Sequence, residues 1–529
     1  MVYVNQIGYE PDASKFVYVQ CSDSQKKFTL EDKNGNVVFS GTLSAPKEDD
    51  ANKIPVCCGD FSSYKTSGEY CVCVDNSKSA YFKICSGIFN DFYHSILNYF
   101  YLSRCGEQIE GGDFSHPACH TTPAKIYGTE LTKTVIGGWH DTGDYGRYVV
   151  AGSKTVMDLL LAYEANPSYK DFDILEEVRF ELEWMLQMQR EDGAVYHKIS
   201  CWHFCAFINP QDETEEQVLA PVSTAATADF AGCLAYASGV YKKHDTDFAQ
   251  TLLAAAKKAQ NYLDSHEDEL YTNPSEITTG GYGDWNVKDE RYFALCALFN
   301  ATGEKFYLEQ ALKIRAAQLA IEVNPAEPWK KPWGEMFGWG CVAGYGTEIL
   351  LKNAAIKEKK ELFEDLKGGI LARAEELKNA SENASFGSCL KKYFWGCNGH
   401  MADEGHLLLL AYDLTGRKEF YEAAKKQFDY ILGCNQLDFC FVTGFGTNSP
   451  KNPHHRPSGA VGKPMSGMLA GGPCEGLYDH VAKEYLQGKP AACCYIDMEG
   501  SYSTNEVAIY WNSPLVYLTA RVGRTEVRL

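Results

Sequence analysis

The sequence predicts a mainly α-helical chain in which a small β-sandwich precedes a large domain of paired helices. Three observations support this fold class. The chain has 529 residues, which is too long for one small core and suggests a large domain with a companion. Up to about residue 85 it consists of short segments rich in β-branched and aromatic residues. Beyond that point apolar residues recur at i, i+3, i+4 and i+7, which is the helical period.

Residues 1–85 are predicted to form the β-sandwich. Five segments have the composition of strands and are separated by turn residues: FVYVQC, KFTLED, NVVFSGTL, GEYCVCV and AYFKIC. The pair Asn34-Gly35, which lies between the second and third segments, is a strong hairpin signal. Five strands within this length favour a small sandwich.

Residues 86–529 are predicted to be helical. The first helix lies in DFYHSILNYFYLSRC, and about eleven helical segments follow, the last of which is NEVAIYWNSPLVYLTARV. Several neighbouring segments are divided by the turns ATG or LTG. Helices in antiparallel pairs, with no strands between them, indicate a toroid of helix hairpins. Functional residues would then lie on loops at one end of a rigid scaffold.

Charge and composition exclude several classes of function. The formal net charge is −20, and a field of that sign repels phosphate backbones, so we expect no nucleic-acid partner. No window of about 18 apolar residues occurs, so we expect no membrane-spanning helix. The N-terminal MVYVNQIGYE lacks the features of a signal peptide, which fits a cytoplasmic protein or a secreted one whose signal was removed. We expect a monomer.

The 20 cysteines are expected to be mostly buried free thiols. Cys57 and Cys58 are adjacent, as are Cys493 and Cys494, and this spacing does not suit a disulfide framework. Such thiols suit a reducing or anaerobic setting.

The segment GGWHDTGDYGRY, residues 137–148, contains two acids three residues apart, Asp141 and Asp144. A solvated loop would spread its charges and has no use for Trp139 and Tyr145. A site that holds a carboxylate still beside a ring-shaped ligand uses all of these residue types. We therefore treat this segment as a candidate catalytic loop.

A second acidic segment is YIDMEGSYSTNEVAIYWNSP, residues 495–514, which contains Asp497 and Glu506. Glu506 leads into an apolar helical run, so one interpretation is an acid in the first turn of a helix. The other interpretation is catalytic, because aromatic residues surround Glu506 as they surround Asp144. A glycosidase needs two such carboxylates, since one must stay protonated to donate to the leaving oxygen and the other must stay charged.

A third segment, VTGFGTNSPKNPHHRPSG at residues 442–459, brings His454, His455 and Arg456 together. Its glycines and prolines indicate a fixed loop. The basic cluster fits either a surface turn or a subsite that binds hydroxyl groups and tunes the acids.

Together these segments resemble the signatures of glycoside hydrolase family 9, the inverting cellulases. GGWHDTGDYGRY resembles the base loop of the family, NPHHRPSG its histidine signature, and the run from Tyr495 to Ser513 its acid signature. VNQIGYEP and the strands after it resemble the N-terminal immunoglobulin-like module of one branch. The resemblance covers essentially the whole chain. It implies an (α/α)6 barrel preceded by a small immunoglobulin-like β-sandwich.

The resemblance also implies a role for each motif residue. Asp144 is the expected general base, Asp141 is expected to hold the attacking water, and Glu506 is the expected general acid. Inversion requires about 6.5–9.5 Å between the two carboxyl groups, to leave room for that water. Tyr502 and Asp497 are expected to support the acid loop. The expected sugar contacts are His454, Arg456, Tyr502 and Trp395, the last of which has packing as its alternative role.

Two thiols and two imidazoles near the base loop can complete a tetrahedral zinc shell. Their spacing is not that of a zinc finger, and two buried thiols with two ordinary histidines fit the pattern as well. The resemblance favours a structural zinc, because the branch with the sandwich shares RCG, HPACH and GGWH and holds zinc there. The expected ligands are Cys105, Cys119, His120 and His140, with His116 as the alternative to His120.

The segment DWNVKDE, residues 284–290, offers oxygen ligands for calcium at Asp284, Asn286 and Asp289, with Glu290 close by. The same residues can cap the helix that follows, and this is not an EF-hand loop. The acidic run in HFCAFINPQDETEEQ, residues 203–217, is expected to be a solvated loop.

The sequence therefore predicts an endo-β-1,4-glucanase that acts on cellulose or related β-glucans with inversion and needs no cofactor for its chemistry. The first alternative is an exo-acting cellodextrinase on short soluble chains, and mixed-linkage glucan is a further possible substrate. A non-catalytic carbohydrate-binding protein is the remote alternative, because both Asp144 and Glu506 stand in intact motifs. The sandwich shows no run of exposed tryptophans and is expected to stabilise the helical domain.

Overall fold

A computed structural model describes residues 1–23, 26–141, 143–167, 169–322 and 333–523. Contacts between Cα atoms divide the chain into two compact units. The first unit contains residues 1–99, 164–172 and 374–529, and the second contains residues 100–163 and 173–373. The predicted boundary between residues 85 and 86 is not a boundary of these units, and it stays a prediction.

The N-terminal segment forms two sheets that enclose one apolar core, as the sequence predicts. One sheet has the order β1-β3-β6, and the other has the order β2-β9-β7-β4-β5 with β8 on β7. The core between them includes Val17, Phe28, Leu30 and Val72. The strands are β1 (Val2–Tyr3), β2 (Gly8–Tyr9), β3 (Phe16–Gln20), β4 (Lys27–Asp32), β5 (Val37–Thr42), β6 (Val56–Asp60), β7 (Gly68–Val74), β8 (Ser77–Lys78) and β9 (Phe82–Ile84).

The predicted hairpin at Asn34-Gly35 joins β4 to β5, which pair antiparallel. The Asp32 carboxylate accepts the backbone N–H of Asn34 at 2.8 Å and that of Asn36 at 2.9 Å, which is an Asx-type turn. Gly35 has φ +79°, a conformation that glycine adopts without steric cost.

Within the first unit, the sandwich is attached to the helix of residues 418–431 by a buried polar network. Asn5 donates to Asp429 Oδ1 at 2.8 Å, and Lys425 Nζ lies 2.6 Å from the same oxygen. The backbone N–H of Gln6 donates to the carbonyl of Leu432 at 2.9 Å. These contacts explain the polar residues of VNQIGYE, because buried polar groups are costly unless they are hydrogen-bonded.

The described part of the chain contains 16 α-helices, several more than the dozen predicted, because some are only one or two turns long. In chain order they are α1 (Asn90–Leu102), α2 (Val149–Ala165), α3 (Ile174–Met188), α4 (Thr224–Tyr241), α5 (Thr246–Ser265), α6 (Lys288–Thr302), α7 (Lys305–Leu319), α8 (Ala343–Lys352), α9 (Ala354–Lys357), α10 (Lys360–Asn383), α11 (Cys397–Thr415), α12 (Lys418–Ile431), α13 (Arg456–Val461), α14 (His480–Leu486), α15 (Tyr502–Asn505) and α16 (Ile509–Val522).

Each unit contains helices that pack closely against one another. In the first unit α11 packs on α12 and α16. Trp511 of α16 lies against Gly396 and Gly399, where a Cβ atom would come within 2.5 Å of the indole. In the second unit α4 packs on α5 and α6, and α6 also packs on α7 and α8. Helices α4 and α6 are mostly buried, which explains the small and apolar residues on nearly every side of α4 and the continuous apolar run at residues 292–299 of α6.

A five-stranded sheet in the second unit differs from the prediction that no strands lie between the helices. Its order is β11-β10-β14-β13-β12. The strands have two to four residues each, too short for the sequence to show a period of two. They are β10 (Ala124–Ile126), β11 (Thr132–Lys133), β12 (Arg147–Tyr148), β13 (Lys198–Cys201) and β14 (Gln217–Leu219). Strand β12 ends the candidate base loop and therefore anchors it.

All 20 cysteines are free thiols, and most are buried. This agrees with the expectation from their spacing. None of the described helices combines the length and the apolar character needed to cross a membrane.

Candidate active site

The base loop, residues 137–148, is held by backbone and side-chain contacts at both ends. Gly137 and Gly138 have φ +98° and +82°, and a Cβ atom on Gly138 would come within 2.6 Å of the Trp184 ring. Arg147 is buried and donates from Nη1 to the carbonyl of Gly137 at 2.7 Å. The glycines are therefore required by positive φ and by close packing on Trp184.

The aromatic residues of this loop are structural, which corrects the interpretation that they face a ring-shaped ligand. Trp139 is 1% exposed, and its indole N–H donates to Glu177 Oε1 at 2.7 Å. Tyr145 is 4% exposed and donates its hydroxyl to the carbonyl of Ile208. The sequence shows aromatic residues near the acids but not which way they point.

The two aspartates of the loop each accept a hydrogen bond from a tyrosine hydroxyl. Tyr148 donates to Asp144 Oδ2 at 3.1 Å, and Tyr282 donates to Asp141 Oδ2. Asp144 is 4% exposed and Asp141 is fully buried. Oδ1 of Asp141 makes no hydrogen bond to any other residue that the structure describes. Asp141 Oδ1 is therefore available to accept a hydrogen bond.

Burial raises the pKa of Asp141 well above its ordinary range, and the nearby Asp144 raises it further. The hydrogen bond from Tyr282 acts in the opposite direction. Burial also raises the pKa of Tyr148 well above its ordinary value, so its hydroxyl remains a neutral donor.

A buried lysine fixes the segment that carries Tyr282. Lys198 Nζ donates to Thr279 Oγ1 at 2.9 Å and to the carbonyl of Gly280, and it lies 5.4 Å from the ring centroid of Tyr148. Burial lowers the pKa of Lys198 to about 7, and the charge of Asp144 opposes that shift. Sequence reasoning missed Tyr148, Tyr282 and Lys198 as parts of this site. The glycine-rich GGYGDW around Tyr282 was the available signal.

Glu506 lies between two helices, which corrects the interpretation that it is an acid in the first turn of a helix. Helix α15 ends at Asn505, Glu506 is extended at φ −68° and ψ 159°, and α16 begins only at Ile509. The backbone of Glu506 forms a parallel bridge with His454, and its carbonyl accepts the N–H of Gly471 at 2.8 Å. The residue is thus held by its backbone while its side chain stays partly exposed.

Trp395 contacts the carboxyl group of Glu506 directly. Its indole N–H donates to Glu506 Oε2 at 3.0 Å. Trp395 is 40% exposed, and its ring lies 5.1 Å from the ring of Tyr502 and 6.4 Å from that of Tyr478. Trp395 therefore packs against neighbouring rings and is also accessible to solvent.

The histidine segment and the acid segment are joined by side chains that cap backbone groups. Asp497 accepts the N–H of Lys451 at 2.7 Å and that of Asn452 at 2.9 Å. His454 Nδ1 lies 2.7 Å from the carbonyl of Glu499, and its ring lies 6.0 Å from that of Tyr502.

Arg456 begins α13 and is 6% exposed. The structure brings His454, Tyr502, Trp395 and Glu506 together in the first unit through the contacts above. It does not test which of them bind sugar, so the sugar contacts stay predictions.

The predicted zinc ligands form one compact cluster. Cys105, Cys119, His120 and His140 each offer one ligand atom, and these four atoms lie within 4.8 Å of one another. The sulfurs of Cys105 and Cys119 are 3.9 Å apart. Two sulfurs at about 2.3 Å from a tetrahedral zinc lie about 3.8 Å apart, so the donor set fits zinc. His116, the alternative ligand, lies outside the cluster.

Glu213 orients one of these histidines. His120 Nδ1 faces Cys105 Sγ at 3.7 Å, and its Nε2 lies 2.8 Å from Glu213 Oε2. A carboxylate on the second ring nitrogen fixes the tautomer of a metal-binding histidine. Glu213 belongs to the acidic run predicted to be a solvated loop; its side chain is only 7% exposed, so that expectation is wrong for this residue.

Removal of zinc is expected to lower the melting temperature while leaving the pH optimum of activity in place. A ligand at a hundred times its Kd stabilises the folded state by about 2.7 kcal/mol, and this stabilisation disappears with the metal. The measurement compares thermal unfolding before and after chelation, with metal analysis to verify removal. Cys119→Ala should mimic chelation and Cys58→Ala should not. An unchanged melting temperature after verified removal would contradict a structural zinc at this cluster.

The residues predicted to bind calcium make structural hydrogen bonds. Asp284 Oδ1 accepts the N–H of Asn286 at 2.8 Å, and Asp289 Oδ2 accepts that of Val342 at 2.9 Å. Both carboxyl oxygens of the fully buried Glu290 make no hydrogen bond within the described residues. A buried carboxyl of this kind fits a cation, and the calcium site stays a prediction.

Comparison with known proteins defines the class of this chain. The profile of glycosyl hydrolase family 9 matches residues 89–519, and that of the cellulase N-terminal ig-like domain matches residues 1–79. A cellodextrinase of Butyrivibrio fibrisolvens is 34% identical, with 98% of each chain covered. Endoglucanase D of Acetivibrio thermocellus is 32% identical over 98% of this chain and 83% of that protein. A solved mutant of a thermostable endoglucanase from Alicyclobacillus acidocaldarius has a TM-score of 0.90 and 33% identity, covering 98% of this chain and 99% of that one.

The chain is therefore a glycoside hydrolase of the cellulase type. It belongs to glycosyl hydrolase family 9, in the branch with an N-terminal immunoglobulin-like domain. The predicted fold class, an (α/α)6 barrel preceded by a small immunoglobulin-like β-sandwich, is confirmed by the match to the solved endoglucanase. Members of this family hydrolyse glycosides without a cofactor in the chemical step.

Proposed function

We propose that the protein is an inverting endo-β-1,4-glucanase in which Asp144 is the general base and Glu506 is the general acid. The observation that carries this proposal is the pair of buried aspartates, each held by a tyrosine hydroxyl. Tyr148 and Tyr282 occupy one oxygen of Asp144 and of Asp141, respectively. A loop held this firmly suits a base that must receive a proton from water at a fixed position.

The two aspartates take different parts in activating water. Asp144 receives the proton as the water attacks the anomeric carbon. Asp141 Oδ1 accepts the second hydrogen of that water and so fixes its direction of attack. The hydrogen bond from Tyr282 to Oδ2 favours the charged form of Asp141, in which Oδ1 is an acceptor, against the effect of burial.

Glu506 protonates the glycosidic oxygen that leaves. The N–H of Trp395 donates to Oε2, so Oε2 serves as the acceptor and the proton of the neutral acid sits on Oε1. The indole of Trp395 thus holds one oxygen of the acid in place. Water attack opposite to the leaving group gives a product with the inverted, α, configuration at its new reducing end.

The surroundings of Glu506 suit a neutral sugar chain. Trp395, which donates to the acid, and Tyr478, whose ring lies 6.4 Å from that of Trp395, are 40% and 55% exposed. The apolar faces of glucosyl units stack on such rings. The net charge of −20 also favours an uncharged substrate. We infer that β-1,4-linked glucans are the substrate class, as the names of the endoglucanase relatives suggest.

The second candidate function is a cellodextrinase that releases small products from the ends of short chains. It is favoured by the 34% identity, over nearly the whole chain, to the cellodextrinase of Butyrivibrio fibrisolvens. Both candidates use the same two carboxylates and differ in where the chain is cut.

Product analysis over time separates the two. The purified protein is incubated with carboxymethylcellulose and, separately, with cellohexaose. An endoglucanase lowers the viscosity of carboxymethylcellulose rapidly and releases mixed oligomers. Little loss of viscosity, with steady release of glucose or cellobiose, would replace the proposal with the cellodextrinase. Absence of turnover on both substrates would favour a binding protein.

A further inference from the structure

A second cluster of side chains of the types that bind metals lies in the β-sandwich and includes no residue of the catalytic motifs. Glu31 of β4 and Cys71 of β7 face each other directly in the antiparallel ladder. Cys73 lies two residues further along β7, so its side chain points to the same face of the sheet as that of Cys71. One ligand atom from each of Glu31, Cys71 and Cys73 lies within 4.8 Å of the other two.

The spacing of the two sulfurs matches that of a shared metal. Cys71 Sγ and Cys73 Sγ are 3.8 Å apart. Two thiolates at about 2.3 Å from a tetrahedral zinc lie about 3.8 Å apart. The sulfurs of Cys105 and Cys119 in the base-loop cluster have nearly the same separation, 3.9 Å. The sulfur separation in both cysteine pairs therefore fits a shared metal ion.

A disulfide explains this pair less well than a metal does. Residues i and i+2 of an extended strand have Cα atoms about 6.6–6.8 Å apart, which is the upper end of the range that a disulfide spans. The sulfurs would have to approach to about 2.05 Å, so the strand would have to contract. A metal bridge needs no such movement.

The charges around the cluster also suit a divalent cation. Lys78 Nζ lies 2.7 Å from Glu31 Oε2, so the other carboxyl oxygen of Glu31 can serve as the metal ligand. A Zn²⁺ ion bound by two thiolates and one carboxylate carries a net charge of −1, which the ammonium group of Lys78 balances. Cys71 is fully buried and Cys73 is 7% exposed, so the sulfurs are shielded from solvent.

We propose that Glu31, Cys71 and Cys73 form a second metal site, which binds one thiophilic divalent cation such as Zn²⁺. The two thiols lose their protons when the metal binds, so each ion bound releases two protons and forms two metal–sulfur bonds without any change of oxidation state. Water completes a four-coordinate shell. The ion links β4 to β7 and stabilises the sandwich.

Protonation of the thiols sets the pH range of this binding. Each thiol must lose its proton before its sulfur can bind the metal. Affinity is therefore expected to fall steeply as the pH is lowered, because protons compete with the metal.

Titration of the reduced, chelator-treated full-length protein with Cd²⁺ tests the proposal, because thiolate-to-metal charge transfer reports each occupied sulfur site. The Cys71→Ala/Cys73→Ala variant should bind one equivalent less than the wild type. The Cys105→Ala/Cys119→Ala variant should keep the sandwich equivalent, and Cys58→Ala should match the wild type. Equal stoichiometry in the wild type and in the Cys71/Cys73 variant would overturn the proposal.

A milder pair of variants covers the case in which loss of both thiols prevents folding. Glu31→Gln keeps both cysteines and should weaken binding at this site by at least about tenfold. Glu69→Gln is the matched control. Glu69 lies on β7, the strand that carries Cys71 and Cys73, and it pairs with Lys33 at 2.9 Å. Unchanged Cd²⁺ affinity in Glu31→Gln, or equal losses in both variants, would refute a role for Glu31 as a ligand and with it the site.

Discussion

The Asp144→Asn variant is expected to hydrolyse cellohexaose with a kcat about 10²–10⁴-fold below that of the wild type, and with little change in KM. An amide cannot take a proton from water, so the attacking nucleophile is no longer activated. The side-chain oxygen of asparagine can still accept the hydroxyl of Tyr148, which lies 3.1 Å from Asp144 Oδ2. The loop should therefore keep its shape while the reaction loses its base. Steady-state kinetics and thermal unfolding of both proteins measure this.

Two controls separate loss of the base from loss of structure. Asp192→Asn changes an exposed aspartate that pairs with Arg190, and it should retain wild-type activity. Azide attacks as an anion and needs no base, so it should restore turnover in Asp144→Asn and give an α-glycosyl azide. A variant that keeps more than about a tenth of the wild-type kcat would exclude Asp144 as the general base.

The acids of the base loop could be predicted from the sequence, but the residues that support them could not. Asp141 and Asp144 stand in a motif whose residue types reveal their chemistry. Tyr148 lies within the same motif, yet nothing in the pattern says that its hydroxyl reaches Asp144. Tyr282 and Lys198 are distant in sequence, and only the folded sheet and the segment after α5 bring them near the loop. The hydrogen bonds that hold the two aspartates depend on tertiary contacts, which a local sequence pattern does not show.

The zinc cluster shows the same division between ligands and their support. The four ligand residues could be chosen because thiols and imidazoles are rare in combination, and the family resemblance confined the choice. For Glu213 the sequence predicts a solvated loop, because a run of acids is usually exposed. Its side chain is instead 7% exposed and faces His120, since a buried histidine with two polar nitrogens needs a partner for each.

Long elements with a strong period were predicted well, and short elements were not. Helices α5 and α12 span 20 and 14 residues, enough for the helical period of their apolar residues to stand out. The strands of the second sheet and helix α15 have two to four residues. That is why the prediction joined Asn505 and Glu506 to the helix that follows, although the chain is extended at Glu506.

The kcat of the Glu506→Gln variant on cellohexaose is expected to fall about 10²–10⁴-fold, because a glutamine amide cannot protonate the leaving oxygen. Glutamine still offers an oxygen to the N–H of Trp395, which lies 3.0 Å from Glu506 Oε2. The exposed Glu499 of the same segment provides the matched control, and Glu499→Gln should be fully active. Wild-type kcat in Glu506→Gln would refute its role as the acid.

The choice of leaving group then distinguishes the acid from the base. Dinitrophenolate departs without protonation, so Glu506→Gln should recover most of its kcat on a dinitrophenyl β-cellobioside. Asp144→Asn should remain slow on that substrate, because water still has to be deprotonated whatever group leaves. If both variants recovered equally, neither carboxyl group could be assigned its own proton transfer. If only Asp144→Asn recovered, the two roles would have to be exchanged. The contrast between two substrates thus tests the assignment of roles, which the loss of activity alone does not.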